Sequence, residues 1–412
     1  MRRLFLRKVQ KPFQVQIQLP SSKSESNRAL IIDALTNFQS DLSNLSEARD
    51  TRTMMRLLVS TEYVADVLDA GTTMRFMTAY FAVTGQFKVM TGTPRMCERP
   101  IGILVEALRS VGANIDYLQH QGYPPIRLNG FKYSGNNQLV IKGGVSSQYI
   151  SALLMVAPVL PEGLVITLDG EIGSRPYIEM TLQQMAHFGI KYSADWEQQR
   201  IEVPQQAYQI QHYTVESDWS GASYWYSLVA LAPEGSEVEL LGLKENSLQG
   251  DSVIVAIMSD LGVKSEFTKK GVKLTKTDSK ASLEWDFTHC PDLAQTVSVC
   301  CAALNLPLTL TGIESLKIKE TDRVKAIQTE LAKFGVSLVE VLENERYELQ
   351  GRFAPPPQNG MVIDTYDDHR MAMAFAPLAM VTDLKIDNPS VVVKSYPRFW
   401  EDMGKVIGIK EI

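Results

Sequence analysis

The chain has 412 residues, of which 45% are hydrophobic and 21% are charged, so it is long enough for two ordinary domains with full cores. A formal net charge of -6 argues against a nucleic-acid-binding protein, which would carry a basic domain or stripe. The start MRRLFLRKVQ lacks the apolar core of a signal peptide, and no later apolar run approaches the roughly 18 residues of a membrane span. We therefore expect a soluble, cytoplasmic protein with no nucleic-acid or membrane partner.

The first predicted elements are a strand and a helix joined by a serine-rich loop. QVQIQLP at residues 14 to 20 alternates in the way a strand does, and PSSKSESNRALIIDAL follows it. Ser22 and Glu25 have the spacing of a capping box at the start of the helix. Lys23 and Arg28 lie in and just beyond the first helical turn, where their charge opposes the helix dipole. A bound anion would explain these cations, although a solvated surface side chain explains any single one of them equally well.

Other loops that open helices have the same design of small, polar and basic residues. The residues concerned are Asp69, Gly71, Thr72, Arg75, Ser146, Ser147 and Ser220. Helix N-termini carry N-H donors without partners in the helix and partial positive charge, so several of them facing one cleft would bind an anion. Their coincidence in one chain favours an anion site over chance.

A recurring pattern in the sequence is an amphipathic helix that ends in a glycine and is followed by an alternating strand. The glycines are Gly112, Gly189, Gly262, Gly335 and Gly408, at intervals of 77, 73, 73 and 73 residues. Glycine suits the position after a helix because it adopts the left-handed conformation without a Cβ penalty. Near-constant spacing over four intervals indicates a structural repeat.

A sixth copy precedes these at TRTMMRLLVSTEYV, with Ser60 in the position of the glycine. Its distance to Gly112 is only 52 residues, so we expect the first repeat unit to have lost a hairpin. Six units of mixed helix and strand predict two domains of three units, with a break near residues 204 to 218. We expect an N-terminal domain over residues 20–215 and a C-terminal domain that combines residues 1–19 with 216–412.

The second half of the chain carries denser groups of charged residues at predicted helix starts. They are Asp292 in HCPDLAQT, Lys319, Glu320, Asp322 and Arg323 in IKETDRV, His369 and Arg370 in TYDDHRMAM, and Lys394 in VVKSYP. Arginine suits bidentate recognition of carboxylate or phosphate, and a carboxylate held among cations can transfer protons. For Asp322 and Asp368, helix capping or orientation of Arg323 is an equally good interpretation.

The four cysteines are too few and too irregularly spaced for a disulfide framework or a zinc site. Cys97 lies between Arg95 and Arg99, whose charges favour a thiolate. Because no histidine accompanies it, we interpret Cys97 as a residue without a catalytic role.

The chain resembles the EPSP synthases of the enolpyruvyl transferase family over essentially its whole length. Eight motifs of the chain occur in the same order as in that family. They are PSSKSESNR, DAGTTMR, TGTPRMCERP, VSSQYISALLM, SRPYIEMTL, IKETDRV, TYDDHRMAM and VVKSYP. The resemblance implies an α/β fold of two domains, the inside-out α/β barrel of the family, with three βαβαββ units in each. Helices would lie inside and sheets outside, with the first unit truncated.

The resemblance also implies the reaction. The family transfers the enolpyruvyl group of phosphoenolpyruvate to the 5-hydroxyl of shikimate 3-phosphate, with no metal or organic cofactor. This step belongs to the shikimate pathway, which leads to chorismate and the aromatic amino acids, and glyphosate inhibits it. We expect the enzyme to be monomeric. Both substrates are anions, which suits a site rich in lysine and arginine.

Carried over residue by residue, the resemblance implies the following roles. The shikimate 3-phosphate site would comprise Lys23, Ser24, Arg28, Ser146, Ser147, Gln148, Ser174, Tyr177, Asp292 and Lys319. The phosphoenolpyruvate site would comprise Lys23, Gly71, Arg95, Gln148, Arg323, His369, Arg370 and Lys394. The catalytic residues would be Asp292, which takes the proton of the attacking hydroxyl, and Glu320 and Lys23, which share proton delivery to the methylene carbon and its return.

The chain departs from the family pattern at Asp69, Asp367, Ser315 and Gly221, and two alternative functions accompany this interpretation. Asp69 stands where the family usually has asparagine, and we expect it to cap the following helix rather than pair with Arg75. The first alternative function is that of the related enolpyruvyl transferase acting on UDP-N-acetylglucosamine, and the second is a non-catalytic anion-binding relative. Retention of Asp292, Glu320 and Lys23 favours an enzyme.

Overall fold

The buried apolar side chains form two separate clusters in the computed structural model, which describes residues 2–144, 146–355 and 360–412. The chain accordingly divides into two lobes. The N-terminal lobe is Ser22–Val215, and the C-terminal lobe combines the residues up to Ser21 with Glu216–Ile412. The first two strands, β1 (Arg3–Arg7) and β2 (Gln14–Gln18), therefore belong to the C-terminal lobe.

The N-terminal lobe contains alternating helices and strands. In chain order they are α1 (Lys23–Leu35), β3 (Asp41–Ser43), α2 (Arg49–Leu58), β4 (Val64–Asp66), α3 (Gly71–Val83), β5 (Phe87–Thr91), α4 (Pro94–Cys97), α5 (Gly102–Val111), β6 (Ala113–Tyr117), β7 (Ile126–Phe131), β8 (Gln138–Lys142), α6 (Ser147–Val156), a 3-10 turn (Ala157–Val159), β9 (Leu164–Asp169), α7 (Arg175–His187), β10 (Ser193–Asp195), β11 (Arg200–Val203) and β12 (His212–Thr214). They form two four-stranded sheets, of order β4-β5-β7-β6 and β10-β11-β9-β8, and a two-stranded sheet of β12 and β3.

The C-terminal lobe repeats the same plan three times. After β1 and β2 its elements are α8 (Trp219–Leu231), β13 (Glu237–Leu241), a 3-10 helix (Gly250–Val253), α9 (Ile254–Asp260), β14 (Val263–Phe267), β15 (Gly271–Lys276), β16 (Leu283–Asp286), a 3-10 helix (Pro291–Leu293), α10 (Ala294–Leu304), β17 (Leu308–Thr311), a 3-10 helix (Glu314–Ile318), α11 (Arg323–Ala332), β18 (Val336–Leu342), β19 (Arg346–Gly351), β20 (Met361–Ile363), α12 (His369–Phe375), a 3-10 helix (Ala376–Met380), β21 (Leu384–Asp387), a 3-10 helix (Pro389–Lys394), α13 (Phe399–Met403) and β22 (Gly408–Glu411). Its sheets have the orders β14-β15-β13-β2, β16-β17-β19-β18 and β20-β21-β1-β22.

Each four-stranded sheet combines one parallel pair of strands with an antiparallel pair, which is a hairpin in every such sheet except β20-β21-β1-β22, where β1 pairs with β22. In the second sheet of the N-terminal lobe, β8 runs parallel to β9, and β11 pairs antiparallel with both β9 and β10. The strands β8 and β9 flank helix α6, which is the crossover that a parallel pair requires. The predicted βαβαββ unit is thereby confirmed.

Helices lie inside each lobe and sheets lie outside. Every residue of α8 except Ser220 is buried, and so is every residue of α12. A helix that is apolar on all faces has to be surrounded by protein. Strands alternate instead: in β8, Val140 is 76% exposed while Leu139 and Ile141 are buried. The inside-out arrangement predicted from the sequence is confirmed in both lobes.

Four of the five repeat glycines occupy the predicted position after a helix. Gly112, Gly189, Gly262 and Gly335 all have positive φ, from 80° to 120°, and follow α5, α7, α9 and α11. The prediction for Gly408 is wrong, because α13 ends at Met403 and residue 408 begins strand β22. A turn of four residues after α13 replaces the single-glycine ending there.

The first repeat unit is shortened, as its spacing predicted. In the described residues, β12 and β3 form a two-stranded parallel sheet, and α2 is followed directly by β4 of the next sheet. The connection after α2 is held by Lys88 of β5. Its buried ammonium donates to the carbonyl oxygens of Ser60 at 3.0 Å and Glu62 at 2.5 Å. One lysine thus supplies donors to carbonyls that a strand partner would otherwise satisfy.

The helices described within residues 2–144, 146–355 and 360–412 have at most 13 residues, fewer than the about 20 needed to cross a bilayer, and none qualifies as a membrane span.

The substitution Lys88→Met tests the role of this lysine in the shortened connection. It keeps the apolar stem but leaves two carbonyl oxygens without their donor, so we expect the free energy of unfolding to fall by about 1–3 kcal/mol. Urea denaturation followed by tryptophan fluorescence and circular dichroism measures the change. Lys410→Met, at an exposed position on β22, is the control. Equal effects of the two substitutions would contradict the assignment.

Candidate active site

In the N-terminal lobe, Ser22 caps helix α1 as the capping-box spacing predicted. Its side chain accepts a hydrogen bond from the backbone N-H of Glu25. Glu25 in turn accepts from the hydroxyl of Tyr213. Lys23, at the first position of the helix, is ion-paired with Asp50 of α2 at 3.0 Å. The cap thus orders the turn that carries Lys23 and Ser24.

Arg28 is a buried cation that connects three helices of the N-terminal lobe. Its Nε donates to Thr181 Oγ1 at 2.7 Å and its Nη2 to Ser151 Oγ at 3.1 Å and the Tyr177 carbonyl at 3.2 Å. Its Nη1 donates to the Ser24 carbonyl at 2.9 Å. All of these acceptors are neutral oxygens. Burial lowers the pKa of Arg28 to about 10, which still leaves it charged at neutral pH.

A buried cation with neutral partners is a strong indication of an anion site. Burial of a charge is costly unless an opposite charge compensates it. Among the described contacts of Arg28, no carboxylate lies within ion-pair distance, and the rings of Phe76 and Tyr177 lie 5.3 Å and 5.9 Å from its guanidinium carbon. A bound anion would supply the missing charge.

The starts of α3 and α6 lie together in the same lobe. The side-chain amide of Gln148 donates to Thr72 Oγ1 at 3.1 Å. Ser146 caps α6 by accepting from the backbone N-H of Gln148. Since α6 also contributes Ser151 to Arg28, the N-terminal residues of α1, α3 and α6 are brought close to one another. Their N-H groups and partial charges favour an anion.

Ser174 precedes α7 in the left-handed conformation, with φ of 55°. This conformation costs a non-glycine residue of order 1 kcal/mol or more, and such strain is concentrated at functional sites. Tyr177 follows in the first turn of α7, where its ring faces Arg28. The structure therefore brings Ser174 and Tyr177 to the same group of helix starts.

The loop that follows β5 contains two arginines, and the structure distinguishes them. Arg95 forms an ion pair with Glu98 at 3.1 Å in which both side chains are largely exposed. The guanidinium of Arg99 instead lies against the backbone of Gly71. A Cβ atom placed on Gly71 would stand 2.6 Å from Arg99 Nη1. Glycine is therefore required at the start of α3 for Arg99 to keep this position. The sequence analysis did not select Arg99, because the motif TGTPRMCERP offers both arginines without distinguishing them.

The expectation that Asp69 caps α3 is wrong. Ala70 occupies the N-cap position, and it makes no side-chain capping bond. The Asp69 carboxylate accepts two hydrogen bonds from Arg49 Nη2, at 2.9 and 2.8 Å. The charge of Asp69 is therefore balanced by the first residue of α2. Arg75 donates to the carbonyls of Gly71 and Pro100, and sequence spacing could not show either arrangement.

In the C-terminal lobe, Arg323 is the centre of a cluster of carboxylates. Its side chain is 2% exposed, and its three nitrogens reach three different acids. The distances are 2.6 Å from Nε to Asp368, 3.0 Å from Nη1 to Asp292, and 2.8 Å from Nη2 to Glu320. Asp322 caps α11 and so positions Arg323 at its start. The neighbouring carboxylates raise the pKa of Arg323 although burial opposes them, so it remains charged.

Arg370 lies beside this cluster and shares Asp292 with it. Asp368 caps α12 by accepting from the backbone N-H of Arg370 at 2.8 Å. The guanidinium of Arg370 donates to Asp292 Oδ2 at 2.7 Å and reaches the hydroxyl of Tyr224 at 3.4 Å. Both interpretations offered for Asp368, a helix cap and a partner for Arg323, are confirmed together.

Lys394, Lys319 and His369 complete this set. Lys394 is 1% exposed and its Nζ lies 3.6 Å from Glu320 Oε1. Nδ1 of His369 lies 3.5 Å from Asp368. Lys319 precedes Glu320 and acts on Asp292 through its charge. The structure thus brings together all seven residues predicted for this part of the chain.

Asp292 is a partly exposed carboxylate surrounded by cations. Burial acts to raise its pKa, but Arg370, Lys319 and Arg323 outweigh burial and hold the pKa well below its usual range. The carboxylate is therefore ionised at neutral pH. Its side chain keeps 22% exposure, so a ligand can reach it.

The fold and the residues described above define an inside-out α/β protein with buried, carboxylate-paired cations at helix starts. Comparison with known proteins agrees with this fold. The family model for EPSP synthase (3-phosphoshikimate 1-carboxyvinyltransferase) matches residues 8–61 and 56–403. The chain belongs to this family.

Individual relatives give the same result. A 3-phosphoshikimate 1-carboxyvinyltransferase of Bacteroides fragilis is 49% identical over 402 residues, which cover 96% of each chain. One from Escherichia coli is 37% identical over 419 residues, covering 95% of this chain and 96% of that one. A solved EPSP synthase of Acinetobacter baumannii shares the fold with a TM-score of 0.76 over the full length of both chains, at 19% identity.

The substitution Arg323→Met tests whether the carboxylate cluster depends on its central cation. Three partly or fully buried carboxylates would lose their shared partner, so we expect a loss of about 3–5 kcal/mol in the free energy of unfolding at pH 7. The loss should shrink toward pH 4. In the wild type the pKa of Asp292 is lowered, so the folded state becomes more stable as pH rises. In the variant the carboxylates would take up protons more readily, so the folded state would become less stable as pH rises.

Urea denaturation at both pH values measures this difference. Arg346→Met, which removes an exposed pair with Glu348 on β19, is the matched control and should change stability by about 1 kcal/mol or less. A loss for Arg323→Met that is small, or independent of pH, would contradict the proposed role.

Proposed function

We propose that this chain is an EPSP synthase: it transfers the enolpyruvyl group of phosphoenolpyruvate to the 5-hydroxyl of shikimate 3-phosphate and releases phosphate. Membership of the family supports the reaction. The observation that carries it in the structure is Asp292, an accessible carboxylate held ionised by three cations. A carboxylate that is ionised at neutral pH can accept the proton of an attacking hydroxyl.

The two lobes are, in this proposal, the two enolpyruvyl transferase domains, and each contributes one set of anion-binding residues. The set in the N-terminal lobe would contact mainly shikimate 3-phosphate: Ser24, Arg28, Ser146, Ser147, Gln148, Ser174 and Tyr177, with Lys319 from the C-terminal lobe. The buried, uncompensated charge of Arg28 and the grouped helix starts support this assignment. Lys23 would serve both substrates.

The set in the C-terminal lobe would contact mainly phosphoenolpyruvate through Arg323, His369, Arg370 and Lys394, with Gly71 and Gln148 from the other lobe. Arginine binds carboxylate and phosphate through two parallel hydrogen bonds. Arg370 contacts Asp292 through its guanidinium and also reaches the Tyr224 hydroxyl and the Asp292 carbonyl. An incoming anion would add to these contacts.

The proposed chemistry balances without an external reactant. The acceptor oxygen bonds to C2 of phosphoenolpyruvate while Asp292 takes the hydroxyl proton and the methylene carbon gains a proton. The tetrahedral intermediate then loses phosphate by cleavage of the C2–O bond to phosphorus-bound oxygen, and the proton held by Asp292 leaves with the phosphate. The methyl carbon returns its proton, which restores the double bond. Glu320 and Lys23 are the candidates for the proton at the methylene carbon. Glu320 is within ion-pair distance of Arg323 and Lys394, and Lys23 of Asp50.

We also propose Arg99 as a donor-binding residue in preference to Arg95. Its guanidinium lies against Gly71 at the start of α3, whereas the Arg95 guanidinium is paired with Glu98 in an exposed position. We also propose that the enzyme is monomeric and cytoplasmic and has no nucleic-acid partner. The formal net charge of -6 supports the absence of a nucleic-acid partner.

Phosphate release in the presence of both substrates tests the function directly. We expect turnover only when phosphoenolpyruvate and shikimate 3-phosphate are both present. Asp292→Asn should lower kcat by about 10²- to 10⁴-fold, the usual contribution of a general base. Asp278→Asn, at an exposed loop position, is the control. Turnover with UDP-N-acetylglucosamine in place of shikimate 3-phosphate would overturn the proposal.

Alanine substitution at the two arginines tests the preference for Arg99. Loss of a charged hydrogen bond to the donor corresponds to about 1.5–3 kcal/mol, so Arg99→Ala should raise KM for phosphoenolpyruvate by roughly 10- to 150-fold. Arg95→Ala should have the smaller effect. Steady-state kinetics at saturating shikimate 3-phosphate measures both, and a larger effect of Arg95→Ala would reverse the assignment.

A further inference from the structure

Asp251 is a buried acid next to the proposed donor site that the reaction described above does not use. It lies in the 3-10 helix Gly250–Val253 and is 3% exposed. One of its carboxyl oxygens, Oδ2, is hydrogen-bonded to the hydroxyl of Ser220 at the start of α8. The other, Oδ1, is buried and has no hydrogen-bond partner among the described residues.

This arrangement suits a neutral carboxylic acid better than a carboxylate. The Ser220 hydroxyl donates to Oδ2, whereas no group among the described residues donates to the buried Oδ1. In the ionised form the same atom would carry part of a full negative charge. Leaving an ionised oxygen buried without a partner costs considerably more than leaving a neutral one.

The charged groups around Asp251 come from three neighbouring elements. Asp218 caps α8, Asp292 lies in the 3-10 helix Pro291–Leu293, and Arg370 lies in α12. Burial is the largest influence on Asp251, the charge of Asp292 acts in the same direction, and Arg370 opposes both, so that the pKa of Asp251 is raised to about 7. The nearby Cys290 thiol has a pKa raised by burial and by Asp251, so it stays neutral.

Asp251 and Asp292 therefore form a pair of acids with divided roles. Asp292 is ionised because it has three cations, and Asp251, which has a serine and a share of Arg370, can hold a proton at neutral pH. Separation of two carboxyl groups into one charged and one neutral member is a common way to prepare an active site for proton transfer.

We propose that Asp251 is a positioning residue of the active site. Protonated Asp251 leaves the charge of Arg370 available to the anionic donor, whereas ionised Asp251 competes with the donor for that charge. The inference rests on the proposed function, since the donor is taken to be phosphoenolpyruvate. The Arg370 guanidinium is the shared element, because it contacts Asp292 and also acts on Asp251.

Reciprocal coupling follows from this competition. Binding of an anion near Arg370 stabilises protonated Asp251, and protonation of Asp251 strengthens binding of the anion by the same factor. The apparent KM for phosphoenolpyruvate should therefore rise as pH increases through 7. An asparagine at position 251 imitates the neutral acid at every pH, because its amide oxygen can accept from Ser220 as Oδ2 does.

Steady-state kinetics between pH 6.0 and 8.5 tests the coupling. For the wild type we expect KM for phosphoenolpyruvate to rise by about fivefold or more, the lower end of usual coupling between two sites. Asp251→Asn should remove this rise. Ionisation of the donor's own phosphate acts equally on all variants and cancels in their comparison.

Two further variants make the test specific. Ser220→Ala removes a hydroxyl that stabilises the ionised form, so the rise in KM should move to higher pH. Asp278→Asn, at an exposed loop position, should behave as the wild type does. The same pH profile in wild type and Asp251→Asn, or a shift to lower pH in Ser220→Ala, would overturn the proposal.

Infrared difference spectra provide a readout that does not depend on catalysis. A spectrum of wild type minus Asp251→Asn, without substrate, should show the C=O band of a protonated carboxyl at pH 6 that disappears with a midpoint near 7. Phosphoenolpyruvate should move that midpoint upward. Turnover without this band would overturn the role of Asp251, whereas the band without turnover would overturn the proposed function and leave the protonated acid established.

Discussion

The site depends above all on the contact of one buried arginine with three carboxylates. Arg323 cannot be buried without compensating charge, and Asp292, Glu320 and Asp368 cannot come close to one another without it. Each acid also serves a second cation or helix end: Asp292 contacts Arg370, Glu320 lies near Lys394, and Asp368 caps α12. Removing the central cation would therefore disturb the placement of every proposed catalytic group in the C-terminal lobe.

The N-terminal lobe satisfies its buried cation in a different way. Arg28 is held by hydroxyl and carbonyl oxygens rather than by acids, so its direction is set without an ion pair. The C-terminal lobe instead keeps Asp292 ionised by surrounding it with cations. Both arrangements depend on buried helices whose first turns carry the polar residues, and the inside-out packing of each lobe makes such helices available.

The shortened first repeat unit shows how this fold accommodates the loss of a hairpin. The parallel pair of β3 and β12 is retained, and Tyr213 of β12 donates to Glu25 of α1. Where the connection runs directly from α2 to β4, a buried lysine of β5 supplies the missing donors. The same segment begins with Arg49, which balances Asp69 before α3. Compensation at both ends of α2 is local, since each contact joins residues less than 30 positions apart.

The sequence by itself determined the repeat, the shortened unit, the helix caps at Ser22, Asp322 and Asp368, and most of the charged residues of the site. These features are local, because a cap or a glycine after a helix depends on residues within one turn. Gly408 shows the limit of this approach, since a turn inserted after α13 was invisible to spacing alone.

Only the tertiary structure decided which partner each charged residue has. It laid Arg99 against Gly71, paired Asp69 with Arg49, and placed Asp251 beside Ser220. Position along the chain does not reveal such contacts, because they join side chains of different helices and loops. Their consequences for protonation depend on burial, which exists only after the lobes have packed.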